Sequence, residues 1–287
     1  MGYNVAKNGA EADRSQTHRE ENMDIRIPNS SIAAMGATAF LCFAIPFIVL
    51  AWLVKRRGAK IAPFLVGCAV FVLFALVLEG AVNYIFSKTE TGIKVLENGW
   101  FYALYGGLMA GVFEETGRFI AFKTVLRRYR DNDANALSYG AGHGGCEAIL
   151  TVGTTYLVYI AYALLINSGN SEVITGSLPA GQEDLLTPVF EQLAVTPAWQ
   201  YIAALGERCL AIILHMSLSV LVWFAAKKKE RFLLFPAAIL LHAAVDAVSA
   251  AAVKVFELPV LTVEGILAVC TLIVALIARA VWRRNAE

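Results

Sequence analysis

The chain alternates long apolar runs with short polar breaks. Apolar runs of about 18 residues or more read as membrane-crossing helices. Seven are present, at 32–54, 61–86, 99–126, 134–167, 199–226, 232–252 and 260–282. The pattern predicts an all-α fold, a polytopic membrane bundle of about seven transmembrane helices. The third, fourth and fifth runs exceed the roughly 20 residues a crossing needs, so they tilt or extend beyond the bilayer. Residues 1–30 read as a polar tail without the apolar core of a signal peptide, and 31–285 as a single membrane-embedded domain. No internal repeat or second domain is visible.

Composition agrees. Of 287 residues, 58% are hydrophobic and 16% charged, too few charges to cover a soluble domain, which carries about 25%. The net charge of +1 gives no global bias toward nucleic acid, so the expected surroundings are the lipid bilayer. The five cysteines, Cys42, Cys68, Cys146, Cys209 and Cys270, all fall inside predicted spans. There a cysteine packs as a small apolar side chain, and no disulfide is expected.

Charge placement sets the expected orientation. Lys55, Arg56 and Arg57 follow the first span. Arg127, Arg128 and Arg130 follow the third, Lys227, Lys228, Lys229 and Arg231 the fifth, and Arg283 and Arg284 the seventh. These alternate loops face the cytoplasm by the positive-inside rule, which puts the N-terminus outside and the C-terminus in the cytoplasm. Between Asp131 and Glu207 there is no lysine or arginine, and the acidic 168–198 loop fits the outer side. Within it, "EDLLTPVFEQLA" sets Leu185, Leu186, Val189, Phe190 and Leu193 on one helical face. That is either an interfacial helix or a cap on the bundle.

Ionisable residues inside the spans carry the candidate chemistry, because a charge at membrane depth costs several kcal/mol unless paired or hydrated. "VFEETGRFIAFK" brings Glu114, Glu115 and Arg118 into the third span, with Glu114 and Arg118 four apart and able to pair. Two adjacent glutamates away from water do not both ionise without help, which suits one of them to acid–base work. "GAGHGGCEA" sets His143 and Glu147 four apart among glycines that allow close packing or close approach to a polar site. The fifth span carries His215, and the sixth His242 and Asp246, again four apart. Glu207 and Arg208 lie nearer the outer end, as do Glu79 and Glu264, which are left out of the site.

Each pair alone is as well explained by a structural ion pair. Depth separates the readings. Counted from the cytoplasmic ends at 1.5 Å per residue, the groups all fall roughly 14–21 Å deep. Independent ion pairs have no reason to share a layer; one buried site does. Carboxylates, three imidazoles and an arginine can activate water and steady an oxyanion, which is peptide-bond hydrolysis inside a membrane. The same residues can instead bind zinc, with His143, Glu147, His215 and His242 as candidate ligands. Cys146 and Cys209 lie near the cluster without the setting of a nucleophile.

"EETGR" resembles the E-E-x-x-R/K motif of the membrane peptidases that include the CAAX prenyl proteases, the bacterial CPBP proteins and the PrsW proteases. His215 and "HAAVD" resemble that group's lone histidine and closing H-x-x-x-N. With "GHGGCEA" the arrangement looks most like the YhfC family of intramembrane peptidases, over roughly residues 30–285. The resemblance implies a multi-pass protein of a bacterial cytoplasmic membrane, acting on a membrane-associated peptide or protein. It casts Glu114 as base with His215 or His143 as partner, and His242 and Asp246 as oxyanion donors. The chain departs in having Asp246 where asparagine is usual and in adding His143 and Glu147. An ionised aspartate there suits a metal or an imidazolium. Two other classes fit the same cluster: an ion or small-solute transporter, and a non-catalytic membrane scaffold.

Overall fold

A computed structural model describes residues 26–176, 179 and 182–286. The polar tail, as far as residue 25 and including His18, lies outside the described residues. The described chain is helical, and its long helices follow the hydropathy pattern. They are α1 (Asn29–Arg57), α2 (Ile61–Val70), α3 (Gly80–Ser87), α4 (Glu90–Glu97), α5 (Gly99–Lys123), α6 (Ala134–Ala148) and α7 (Thr154–Asn167). After the long loop come α8 (Glu172–Thr175), α9 (Thr187–Val195), α10 (Ala198–Lys227), α11 (Leu234–Lys254) and α12 (Val260–Asn285). π-helical turns at Phe71–Glu79 and Ile149–Gly153 join α2 to α3 and α6 to α7, so each pair makes one continuous rod.

Six of these rods are long and apolar enough to cross a membrane, and the chain is a multi-pass integral membrane protein. Helix α5 stands where the third span was expected and has 25 residues, but it is not among the six. Its glycines and its Glu114, Glu115 and Arg118 dilute its hydropathy. Leu240, Leu261 and Leu272 point outward on their helices, as side chains facing lipid must. Helix α10 is the most enclosed. In its most apolar stretch 72% is buried, against 28% or less in the other five spans.

Two compact units make up the chain. The first covers residues up to 37 and 155–202. Its core joins Ile27, Met35, Ala163, Leu193 and Tyr201. Asn167 closes it by a reciprocal pair of bonds, accepting from the Ile27 N–H and donating to the Ile27 carbonyl, each at 2.8 Å. Phe190 and Leu193 of the expected amphipathic segment are buried here on α9, whereas Leu185 is exposed. The segment thus packs by part of its apolar face.

The second unit, residues 38–154 and 203–287, holds every candidate site residue. Two contacts set its frame: α5 against α11, and α2 against α6. Both depend on glycine. A side chain on Gly142 would run into the Phe64 carbonyl of α2, and one on Gly107 into the Ala243 carbonyl of α11. The backbones therefore touch, which fixes α6 and α5 closely. Toward the basic end, Tyr139, Phe122, Trp223, Leu218 and Leu221 fill the unit. Phe122 lies edge-on between Tyr139 and Trp223, with ring centroids at 4.7 and 5.0 Å. Asp133 takes hydrogen bonds from Trp223 Nε1 at 2.7 Å and Lys227 Nζ at 2.8 Å.

Candidate active site

Four helices of the second unit bring polar side chains to one layer. Helix α5 supplies Glu114, Glu115 and Arg118; α6 supplies His143 and Glu147; α10 supplies His215; α11 supplies His242 and Asp246. Except for Glu147 and Asp246, these side chains are buried. Accessibility rises across the cluster. Glu115 is sealed, Glu114 is 9% exposed, Glu147 18% and Asp246 37%. Asp246 therefore lines the open side.

The cluster falls into two hydrogen-bonded groups that meet where His215 Nδ1 lies 3.8 Å from Glu114 Oε2. His143 Nε2 lies 2.8 Å from Glu114 Oε2, and since a carboxylate only accepts, the imidazole donates. His242 Nδ1 lies 2.8 Å from Glu115 Oε1 and donates for the same reason. Arg118 donates to Glu115 through Nη1 and to His215 Nδ1 through Nη2 at 3.0 Å. A guanidinium has no acceptor, so Nδ1 of His215 accepts and its proton sits on Nε2. That Nε2 is 2.7 Å from Glu147 Oε2 and donates to it. The His143 and His215 rings lie 4.7 Å apart, and those of His215 and His242 5.2 Å.

The expected pairing of Arg118 with Glu114 is corrected. Arg118 pairs with Glu115, one turn away at three residues, and Glu114 turns toward His143 on α6. Both spacings are compatible with a helical pair. The choice depends on which face of α5 meets α6, and sequence spacing does not contain that. Arg208, set aside on depth, also belongs to the network. Its Nη1 donates to Glu147 Oε1 at 2.7 Å and its Nη2 to Glu207 at 2.6 Å. A signal was available: Arg208 precedes His215 by seven residues, two turns on the same face.

Around the centre, five carboxylates (Glu114, Glu115, Glu147, Glu207, Asp246) face two guanidiniums (Arg118, Arg208). The excess of carboxylates calls for protonated carboxyls, protonated imidazoles or a divalent cation, since an unpaired buried charge is costly. Among the described residues one trio offers converging donors. Glu114, His215 and His242 each present a ligand atom, all within 4.8 Å of one another. Two imidazoles and a carboxylate are a zinc donor set that leaves a fourth position open. The outer partners fit as well. Metal-bound histidines use their second nitrogen on a carboxylate, as His215 does on Glu147 and His242 on Glu115. The residues thus fit a divalent metal, although Arg118 competes for the His215 Nδ1 lone pair. His143 and Glu147, expected as ligands, are regrouped as partners of Glu114 and His215.

Comparison with known proteins adds what geometry alone does not carry. No solved structure matches the chain. An uncharacterized membrane protein, YhfC of Bacillus subtilis (strain 168), is 38% identical over 216 residues, which is 74% of this chain and 80% of that protein. The model of the YhfC intramembrane metalloprotease family matches residues 41–275, a stretch that contains all eight residues of the buried polar layer. The chain belongs to the YhfC family.

Proposed function

We propose that this protein is an intramembrane endopeptidase that hydrolyses peptide bonds of membrane-embedded or membrane-proximal substrates. The observation that carries the reading is the convergence of Glu114, His215 and His242 in a buried layer, each imidazole braced from behind by a carboxylate. A hydrolase needs water where the surroundings are dry, and Asp246, the most accessible carboxylate of the cluster, is the side from which water would enter. The family's description as intramembrane metalloproteases supports the same reading.

Glu114, His215 and His242 would hold a divalent cation such as zinc. It would supply a Lewis acid for the peptide carbonyl and make hydroxide available near neutral pH. The chain's own groups do the rest. Asp246 is the site carboxylate with no hydrogen bond, at 3.4 Å from His242 Nε2. It takes the proton as water oxygen bonds to the carbonyl carbon, and returns it to the amine nitrogen as the C–N bond breaks. His143 orients Glu114; Arg118 and Glu147 fix the His215 ring.

A second reading rests on one contact, Arg118 Nη2 on His215 Nδ1. If that bond persists, His215 offers no lone pair, and Glu114 itself accepts the proton of water. His242, protonated on both nitrogens, then donates Nε2–H to the oxyanion.

The test is cleavage of a transmembrane reporter peptide by purified protein in lipid nanodiscs, with and without chelator. Cleavage by wild type that Glu114→Gln abolishes supports the peptidase reading. A protein that binds no metal and cuts no peptide, but conducts ions once reconstituted into sealed vesicles, would replace it with the transporter.

A further inference from the structure

A cavity of about 320 Å³ opens on the side of α10 away from His215, lined from residues 57, 134–137, 213–220 and 275–282. Its walls are apolar, with Ile213, Val220 and Ala275 among them, and its mouth carries Arg57, Arg279 and Trp282. Arg57 ends α1, and Arg279 and Trp282 lie in the last two turns of α12. The mouth is therefore at the end of the unit that bears the basic clusters. From Trp282 back to Ala275 the cleft runs seven residues, about 10 Å into the bundle.

Size and charge together select the occupant. The cleft runs only about 10 Å, far short of the roughly 30 Å over which a transmembrane segment would have to be seated. One acyl chain fits. Both arginines are exposed, and neither meets a carboxylate among the described residues. An adjoining cleft carries Arg283 and Arg284 beside the same Arg279. Basic pockets between helices at the cytoplasmic surface select anionic headgroups, and a tryptophan at the mouth suits the headgroup level.

We infer that this cleft is a binding site for one anionic phospholipid, its chain between α10 and α12 and its phosphate between Arg57 and Arg279. The inference does not depend on the peptidase reading. Because Ile213 and Val220 are on the helix that carries His215, the bound chain would pack against the back of the candidate active site.

The test is native mass spectrometry of protein from mixed micelles of phosphatidylglycerol and phosphatidylcholine. Wild type is expected to retain about one phosphatidylglycerol, preferred at least tenfold over phosphatidylcholine. Arg57→Gln with Arg279→Gln is expected to bring that preference to near unity. Ala275→Phe, which fills the cleft without touching charge, is expected to lose the lipid and decides the matter if the double variant does not fold. Lys123→Gln, a basic residue elsewhere at the same end, is expected to behave as wild type. Equal retention of both lipids by wild type would overturn the inference, as would undiminished retention in Ala275→Phe. Displacement of phosphatidylglycerol by millimolar inorganic phosphate would also overturn it, leaving only a surface anion site.

Discussion

Glu115 accepts hydrogen bonds from both Arg118 and His242, and in doing so ties α5 to α11 inside the membrane. Both partners are enclosed, so the carboxylate has no access to bulk water. Removing one member of a buried ion pair leaves the other uncompensated, at about 3–5 kcal/mol. Glu115→Ala is therefore expected to unfold at markedly lower denaturant, measured by detergent-denaturant titration. Glu115→Gln, which keeps one acceptor, is expected to lose less. Equal stability of the alanine variant and wild type would contradict the pairing.

Glu114 should separate from its neighbour. It lies on the same helix but points to the open centre and His143. Asp246→Asn is expected to keep wild-type elution and stability while cleavage falls about 10²–10⁴-fold, the usual worth of acid–base assistance. Glu114→Gln is expected to elute as wild type and to lose cleavage together with the metal it would help to hold. If Asp246→Asn keeps full activity in a metal-loaded sample, the proton is carried by another group and Glu114 becomes the candidate.

Metal content distinguishes inner from outer histidines. Near one zinc per chain is expected in wild type purified without chelator, with His215→Ala and His242→Ala losing it. His143→Ala is expected to retain the metal, because His143 sits behind Glu114 and outside the converging trio. Elemental analysis reads all four samples. Retention in His242→Ala would remove His242 from the ligand set.

Glu147 and Arg208 form the outer brace of His215. Loss of such an outer partner weakens metal binding about 10–100-fold. Glu147→Gln is expected to show that loss in a competitive chelator titration. An unchanged titration would mean that the His215 ring is oriented by Arg118 alone.

Six of the seven expected spans were readable because apolar side chains must face lipid over a fixed thickness, and their helix ends agree with the pattern to within a few residues, as at 61–86 against Ile61–Ser87. The shared depth of the site was readable for a similar reason, since rise per residue is constant along a helix. Pairing was not. Whether Arg118 meets Glu114 or Glu115 depends on how α5 is rotated in the bundle, which its backbone contact with α11 at Gly107 helps to set. The π-helical turns at Phe71–Glu79 and Ile149–Gly153 leave no mark in hydropathy, because they change turn width and not composition. Helix α4 (Glu90–Glu97) is too short and polar to register as a span. Arg208 was passed over because depth was counted at the Cα, whereas an arginine side chain reaches more than a helical turn.

The backbone contacts at Gly142 and Gly107 bear on how this protein will look in a saturation mutagenesis library. Gly142 adjoins His143 and Gly107 packs against the residue next to His242, and any side chain at either glycine collides with a carbonyl of the neighbouring helix. Scored by activity alone, such positions will be indistinguishable from the histidines and carboxylates they hold in register, and the site will be drawn too large. Abundance scored in parallel separates them: loss at a glycine travels with loss of folded protein, whereas loss at Glu114 does not.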